Sequence, residues 1–267
     1  MMGIQMWTRA CWKFLVPAML AVQVFCMLNA QSVDSTSLPA WALDWSWMLS
    51  LWSGGTLLLS PVAAATVVLL IHRAWRDPVD ALVGGLARAP RSRLDILAAV
   101  YLMGVAVQAV TLALGSALCV IGHADATGVT LPWQLLTGPA ALLAAVCLGG
   151  VIGEYWKDPW AVPVTAIAIF LSQNVFYAEG YPELLATEAA GWFMTGYRPI
   201  PGHLAATVAA NILMAVGCLC LQMRRVPIRA LRRHFWWMVA ICCFVGIGAV
   251  FEPFVARQAV DTYEEIR

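Results

Sequence analysis

Seven runs of about twenty predominantly apolar residues, separated by loops whose charge alternates in sign, leave this chain few folds. A helix rising about 1.5 Å per residue needs that length to cross about 30 Å of hydrocarbon. The runs lie at 11–30, 48–71, 95–121, 133–153, 160–177, 203–222 and 235–255, and the fifth is the shortest. Of the 267 residues only 12% are charged, and the mean hydropathy is +0.77, whereas soluble domains carry roughly a quarter charged residues. The expected fold class is therefore all-α, a polytopic transmembrane helix bundle forming a single domain over 1–267.

The loops set an expected orientation. Arg9 and Lys13 precede the first run, Arg73, Arg76, Arg88, Arg91 and Arg93 separate the second from the third, Lys157 follows the fourth, and Arg224, Arg225, Arg229, Arg232 and Arg233 follow the sixth. An excess of basic residues marks the cytoplasmic side, so the amino terminus is expected inside and, after seven crossings, the carboxyl terminus outside. The opposite loops hold Asp34, Asp44, Asp125, Glu179, Glu183 and Glu188. Tryptophans, which prefer the headgroup level, cluster at the ends: Trp12, Trp75, Trp156, Trp160, Trp236 and Trp237 inside, Trp41, Trp45, Trp47, Trp133 and Trp192 outside. The first run has the charge order of a secretory signal but is longer than most, and is read as a retained helix.

Several chemistries lack their residues. The chain has two lysines, Lys13 and Lys157, and neither follows a glycine, so the phosphate loop GxxxxGK[ST] is excluded and nucleotide hydrolysis must come from another polypeptide. There is no HExxH or GxSxG, and no paired carboxylates fall within an apolar run; Glu154 and Glu252, nearest to one, read as interfacial anchors. The basic residues sit between apolar runs rather than on a polar surface, which argues against nucleic acid. Eight cysteines fall almost entirely inside the runs and read as small buried hydrophobes; Cys218-x-Cys220 and Cys242-Cys243 lack the partners a metal needs.

The segment 60–97 is the most structured of the basic connections. Asp77-Pro78 is a helix start, because Asp caps free N–H groups and Pro at the first position forfeits no hydrogen bond. It predicts a short helix over 78–87, ending before Pro90 and weakened by Gly84-Gly85 at about 1 kcal/mol each, so that a membrane surface or partner must hold it. Asp158-Pro159 repeats the signal ahead of the fifth run. On the other side the one long loop, 178–202, predicts a helical stretch over 183–194 lying on or dipping into the outer leaflet. Within the runs, Thr66, Gln108, Thr111, Thr165, Gln173, Asn174 and Asn211 either line a path or bond across helices, and Gly149-Gly150-x-x-Gly153 contains a pair that permits close helix approach.

The stretches GGTLLLSPVAAATVVLLIHRAWRDP and LARAPRSRLDIL, together with GGVIGEYWKDPWAVP, resemble the permease subunits of bacterial ABC exporters, particularly those of actinobacteria. The resemblance covers about 49–222. It implies a six-helix permease with a cytoplasmic coupling helix between the second and third spans; the seventh span and the tail depart from it. Carried over by position, Asp77, Pro78, Asp80, Leu82, Leu86 and Arg88 form the coupling helix, Arg91 follows it, and Glu154, Tyr155, Lys157 and Asp158 form a second contact with the ATPase. Gln108, Thr111, Gln173, Asn174 and Asn211 are the candidates for a substrate path.

The expected function is thus that of a non-catalytic permease subunit exporting a peptide, lipid-like or small hydrophobic substrate from the bacterial cytoplasm. Expected partners are two copies of an ABC ATPase, a second permease copy or paralogue, and membrane lipid. No cofactor, metal or catalytic residue is assigned to this chain; ATP and magnesium belong to the partner. The competing readings are a membrane-embedded lipid-modifying enzyme and a non-transporting immunity or structural protein.

Overall fold

A one-residue turn at Gly55 interrupts the second apolar run, expected over 48–71 and found as an apolar stretch over Trp45–Ala74. The computed structural model, which describes residues 2–29, 39–74, 89–126, 129, 132–178, 184–185, 197–199, 201–223, 230–251 and 263–265, forms two helices there. Helix α1 spans Met2–Asn29; a 3-10 turn at Ala40–Leu43 then leads into α2, Trp45–Gly54, and α3, Thr56–Ala74. Asp44 starts α2 by accepting hydrogen bonds from the N–H groups of Ser46 (2.7 Å) and Trp47 (3.1 Å), a cap that places the start three residues before the expected boundary at 48. The interruption is slight: Gly55 keeps a right-handed helical conformation, its N–H bonds to the Leu51 carbonyl at 3.1 Å and its own carbonyl accepts the Leu59 N–H at 3.1 Å.

The remaining helices are α4, Ala89–Ile121, α5, Trp133–Tyr155, α6, Ala161–Ala178, α7, Pro201–Met223, and α8, Ala230–Phe251. With 33 residues, α4 is about 50 Å long, well past a bilayer core. Pro90 lies in its first turn, where a missing N–H is harmless, so this proline starts the helix that was expected to begin at 95. Trp45–Ala74, Arg93–Ile121, Trp133–Tyr155 and Pro201–Gln222 are long and apolar enough to cross a membrane, and Trp12–Met27, Ala161–Ser172 and Phe235–Val250 are shorter apolar helices. This architecture is compatible with a multi-pass membrane protein. Among the described residues the only strands are two three-residue pieces, β1 (Tyr197–Pro199) and β2 (Tyr263–Glu265), paired antiparallel with Arg198 opposite Glu264.

Helices α3 and α5 form the centre, with α7 against α5, α6 against α3, α1 against α4 and α8 against α7. Glycine makes the central contact possible. A Cβ on Gly149 would lie 2.6 Å from the Ala64 carbonyl oxygen and 2.9 Å from its Cα, and one on Gly153 would lie 3.1 Å from Val68 Cα. Two positions four apart on α5 therefore face two positions four apart on α3 with backbone against backbone, the close approach that small residues provide in membranes.

One end of the bundle carries Arg73, Arg93 and Lys157, and the other carries Asp44 and Asp125, whose backbones form a β-bridge. We call these the basic and acidic ends. The apolar core between them is continuous on the basic side of Gly55, where Leu59, Val67, Ile71, Ile96, Val100, Leu142 and Val146 are buried together. Trp41 is 2% exposed within a cluster with Met27, Met48 and Trp52, whereas Trp12 (53%) and Trp160 (69%) are exposed.

Candidate functional site

At the basic end three helices are tied on both sides of residues 75–88. His72, near the end of α3, donates from Nε2 to the Trp156 carbonyl at 2.8 Å. Arg93, near the start of α4, donates from Nη1 to Glu154 Oε1 of α5 at 2.6 Å. Lys157 Nζ donates to the Gly153 carbonyl at 3.4 Å, a cation at a helix carboxyl end, where the peptide dipoles favour it. Asp158 Oδ1 accepts from the Trp160 N–H at 2.9 Å and so caps the turn into α6, as its pairing with Pro159 predicted.

Glu154 was expected to be an interfacial anchor and instead makes a contact within the protein, as His72 does. The Glu154 side chain is 2% exposed and that of Arg93 18%. A carboxylate this buried needs its cation, because desolvation of the lone charge costs several kcal/mol. Tyr155, Lys157 and Asp158 are exposed beside it, on the surface that a partner at this end would meet. Of the other residues assigned to ATPase contact, Arg91 lies in the first turns of α4, and Asp77, Pro78, Asp80, Leu82, Leu86 and Arg88, with the short helix expected over 78–87, lie outside the described residues.

The candidate path residues do not converge. Thr111 Oγ1 is spent on its own helix, donating towards the carbonyls of Val107 and Gln108 at 3.0 and 3.1 Å. Gln173 and Asn174 fall on α6, their side chains outside the described residues. Asn211, fully buried on α7, accepts the Leu185 N–H at 2.8 Å and donates to the Thr207 carbonyl at 2.8 Å. Gln108, 1% exposed, makes no hydrogen bond through either amide atom among the described residues.

The Asn211 contact locates part of the long loop. Asn211 lies about 15 Å along α7 from Pro201, so the Leu185 backbone descends to the middle of the bundle. Leu184 and Leu185 are 6% exposed and belong to one buried cluster with Ala64, Ala144, Ile169, Ala210 and Ile247. Leu185 has φ of 70°, the left-handed region that strains a branched side chain, and is held there by the Asn211 amide and by burial. The loop thus dips well below the end of α7; residues 186–196, which make up most of the helical stretch expected over 183–194, are outside the described residues.

Beyond the residues that sequence reasoning singled out, the structure reveals a column of buried polar side chains on the acidic side of the core. Gln23, Ser46, Ser53, Thr56, Ser60, Gln134 and Thr137 join Gln108 and Thr111, each at most 7% exposed. Gln134 Nε2 donates to Ser46 Oγ at 3.2 Å; Gln23 Nε2 donates to the Trp52 carbonyl at 2.7 Å; the Trp52 indole donates to the Gln108 carbonyl at 2.7 Å. Gly138 packs closely against the same group, since a Cβ there would lie 3.1 Å from Gln108 Nε2, 3.5 Å from Ser53 Cα and 3.6 Å from Thr56 Cγ2. The sequence signal was available in the antiparallel alignment of the runs, which brings these polar positions on neighbouring helices towards the same end.

Among the described residues no three His, Cys, Asp or Glu side chains gather as a metal ion would require. The described cysteines are free thiols, five of them buried. Comparisons with protein-family models, with curated proteins and with solved structures give no match to this chain.

Proposed function

We propose that the chain is the membrane-spanning permease subunit of an ATP-driven exporter, crossing the bacterial cytoplasmic membrane seven times with the basic end in the cytoplasm. The observation that carries this reading is the arrangement around residues 75–88. The helices on either side of that segment, α3 and α4, are each bonded to the carboxyl end of α5, through His72 and Trp156 and through Arg93 and Glu154. A displacement applied to the segment from the cytoplasm would therefore reach α3, α4 and α5 together. Those helices also carry Thr56, Ser60, Gln108 and Gln134 of the polar column, so a displacement at the basic end would reach the residues nearer the acidic end.

In this reading the ATPase dimer, on closing around ATP, binds one orientation of the 75–88 segment more tightly than the other and shifts the bundle between two states. Such a shift requires differential affinity for those states, and the docking residues would supply it: Asp77, Asp80, Leu82, Leu86 and Arg88 in the segment, with Tyr155, Lys157 and Asp158 beside it. The chain would work with a second copy or paralogue, and the hydrolytic residues, ATP and magnesium would all lie on the partner. The reading is tested by purifying the tagged chain from its native membrane in mild detergent. Co-purification of an ATP-binding subunit, reduced at least about tenfold by Asp80→Arg with Leu82→Asp, is the expected result; recovery of the chain with no nucleotide-binding protein would contradict it.

A further inference from the structure

We propose that Gly55 is a hinge on which α2 tilts relative to α3, and that the Gln23 amide of α1 is its latch. The backbone at the turn supplies the pivot. The Trp52 carbonyl, where the helical ladder passes from α2 to α3, accepts the Gly55 N–H at 3.3 Å and Gln23 Nε2 at 2.7 Å. One residue on, the Ser53 carbonyl accepts the Thr56 hydroxyl at 2.7 Å. Side chains thus hold two consecutive carbonyls beside Gly54-Gly55, and a side chain inserted into the ladder at a glycine step is where a helix bends.

The two sides of the turn are held by contacts of different kinds. On the basic side, α3 meets α5 backbone against backbone, at Ala64 and Gly149 and at Val68 and Gly153, where no atom can swing aside. On the acidic side, α2 is a lever of 10 residues, about 15 Å long, held largely by side chains. Met48 rests over Gly115 of α4, its Sδ 2.9 Å from where a Cβ there would lie. Ser46 Oγ accepts from Gln134 of α5 at 3.2 Å, the Trp52 indole donates to the Gln108 carbonyl of α4 at 2.7 Å, and the Trp45 N–H donates to the Asp125 carbonyl at 3.0 Å. A thioether and a long amide can reseat in other rotamers, so α2 can tilt where α3 cannot.

Gln23 decides between the two arrangements. Its amide is fully buried and fills the space beside Gly55, where a Cβ would overlap it. Its Nε2 is bonded to Trp52, whereas its Oε1 has no partner among the described residues. Withdrawal of the amide leaves the Trp52 carbonyl to the N–H four residues on, the bond of a continuous helix. A step with a latched and a continuous form is what a two-state element requires. Tilting α2 parts Ser46 from Gln134 and loosens the polar column at the acidic end. The inference goes beyond the transport reading and rests on it only for what drives the tilt.

Hydrogen exchange of the purified full-length chain in detergent tests the hinge. Amides of residues 48–52 in α2 are expected to exchange at least about tenfold faster than those of residues 64–68 in α3, although both segments are mostly buried. Gln23→Leu, which keeps the bulk and removes the hydrogen bond, is expected to speed exchange over 48–52 by about a further tenfold and to leave 64–68 unchanged. General destabilisation would move both segments instead. Ser46→Ala, which removes only the tie to Gln134, is expected to speed 48–52 by about threefold and carries the test if Gln23→Leu does not fold. Equal exchange of the two segments in the wild type, their acceleration together in a variant, or no acceleration in either variant would each overturn the hinge. The expected pattern in a chain that recovers no ATPase would uphold the hinge and contradict the transport reading alone.

Discussion

The Gln23 amide occupies the space that a side chain at residue 55 would need: a Cβ on Gly55 would overlap its Cδ, Oε1 and Nε2. Helix α1 is thereby keyed into the break between α2 and α3, and the key is fastened by the Gln23 hydrogen bond to the Trp52 carbonyl. Gly55 itself has φ of −57° and ψ of −19°, so its backbone would accept any residue, and the constraint is purely one of space. Gly55→Ala is therefore expected to expel the Gln23 amide and destabilise the protein by about 1–3 kcal/mol despite a gain in helix propensity. In a Gln23→Ala background the same change should become neutral or stabilising. Thermal unfolding of the two single variants and the double variant measures this coupling, and simple additivity would contradict the key.

The Arg93–Glu154 pair gives a second expectation. Removing Arg93 deprives the buried Glu154 carboxylate of this ion pair, so Arg93→Met should cost about 3–5 kcal/mol, and Glu154→Leu, which leaves the less buried Arg93, should cost less. Replacing both with apolar residues should restore most of that stability while leaving α4 and α5 joined only by packing. Chemical denaturation of the three variants in the same detergent checks this, and a double variant as unstable as the worse single one would be inconsistent with a buried pair.

Glycines should separate sharply by what faces them. At Gly149 the obstacle is the Ala64 backbone, which cannot swing aside, so Gly149→Leu should prevent α3 and α5 from packing and reduce the yield of folded protein severely. On α8, a Cβ added at Gly248 would meet nothing within 4 Å, and Gly248→Leu should be tolerated within about 0.5 kcal/mol. Size-exclusion profiles and unfolding temperatures of the two variants give the comparison.

The dip of the long loop rests on one side chain. Asn211→Leu removes the acceptor for the Leu185 N–H, and with it the main polar restraint on a backbone held in a strained conformation. Hydrogen exchange at the Leu185 amide should accelerate by about tenfold or more, whereas exchange along α5 should be unchanged. Equal protection in both proteins would mean that burial of Leu184 and Leu185 alone holds the loop.

Helix existence was legible in the sequence because length and hydropathy decide it in a membrane: each apolar run contains a helix. Asp158 capping and the Gly149–Gly153 contact were equally readable, since each depends on a local rule, a free N–H group at a helix start or the absence of a Cβ. What the runs could not reveal was contact between distant segments. The break at Gly55 is visible as Gly54-Gly55, but its filling by Gln23 depends on how α1 packs. Glu154 looked interfacial by position and is buried because Arg93, sixty-one residues earlier, comes to meet it. The polar column was foreseen only at Gln108 and Thr111, for the same reason: Ser53, Thr56 and Gln134 are ordinary one at a time, and gather with them only when neighbouring helices align.

The most direct test of the proposed function places a photo-activatable cross-linking residue at position 80, and in a control protein at position 126, in native membranes. Residue 80 is in the basic connection between α3 and α4, and residue 126 is in the acidic-end connection between α4 and α5. The account predicts an adduct from position 80 with an ATP-binding subunit, altered in yield by a non-hydrolysable ATP analogue, and no such adduct from position 126. Adducts from position 80 with lipid alone, or with the same products as position 126, would contradict it.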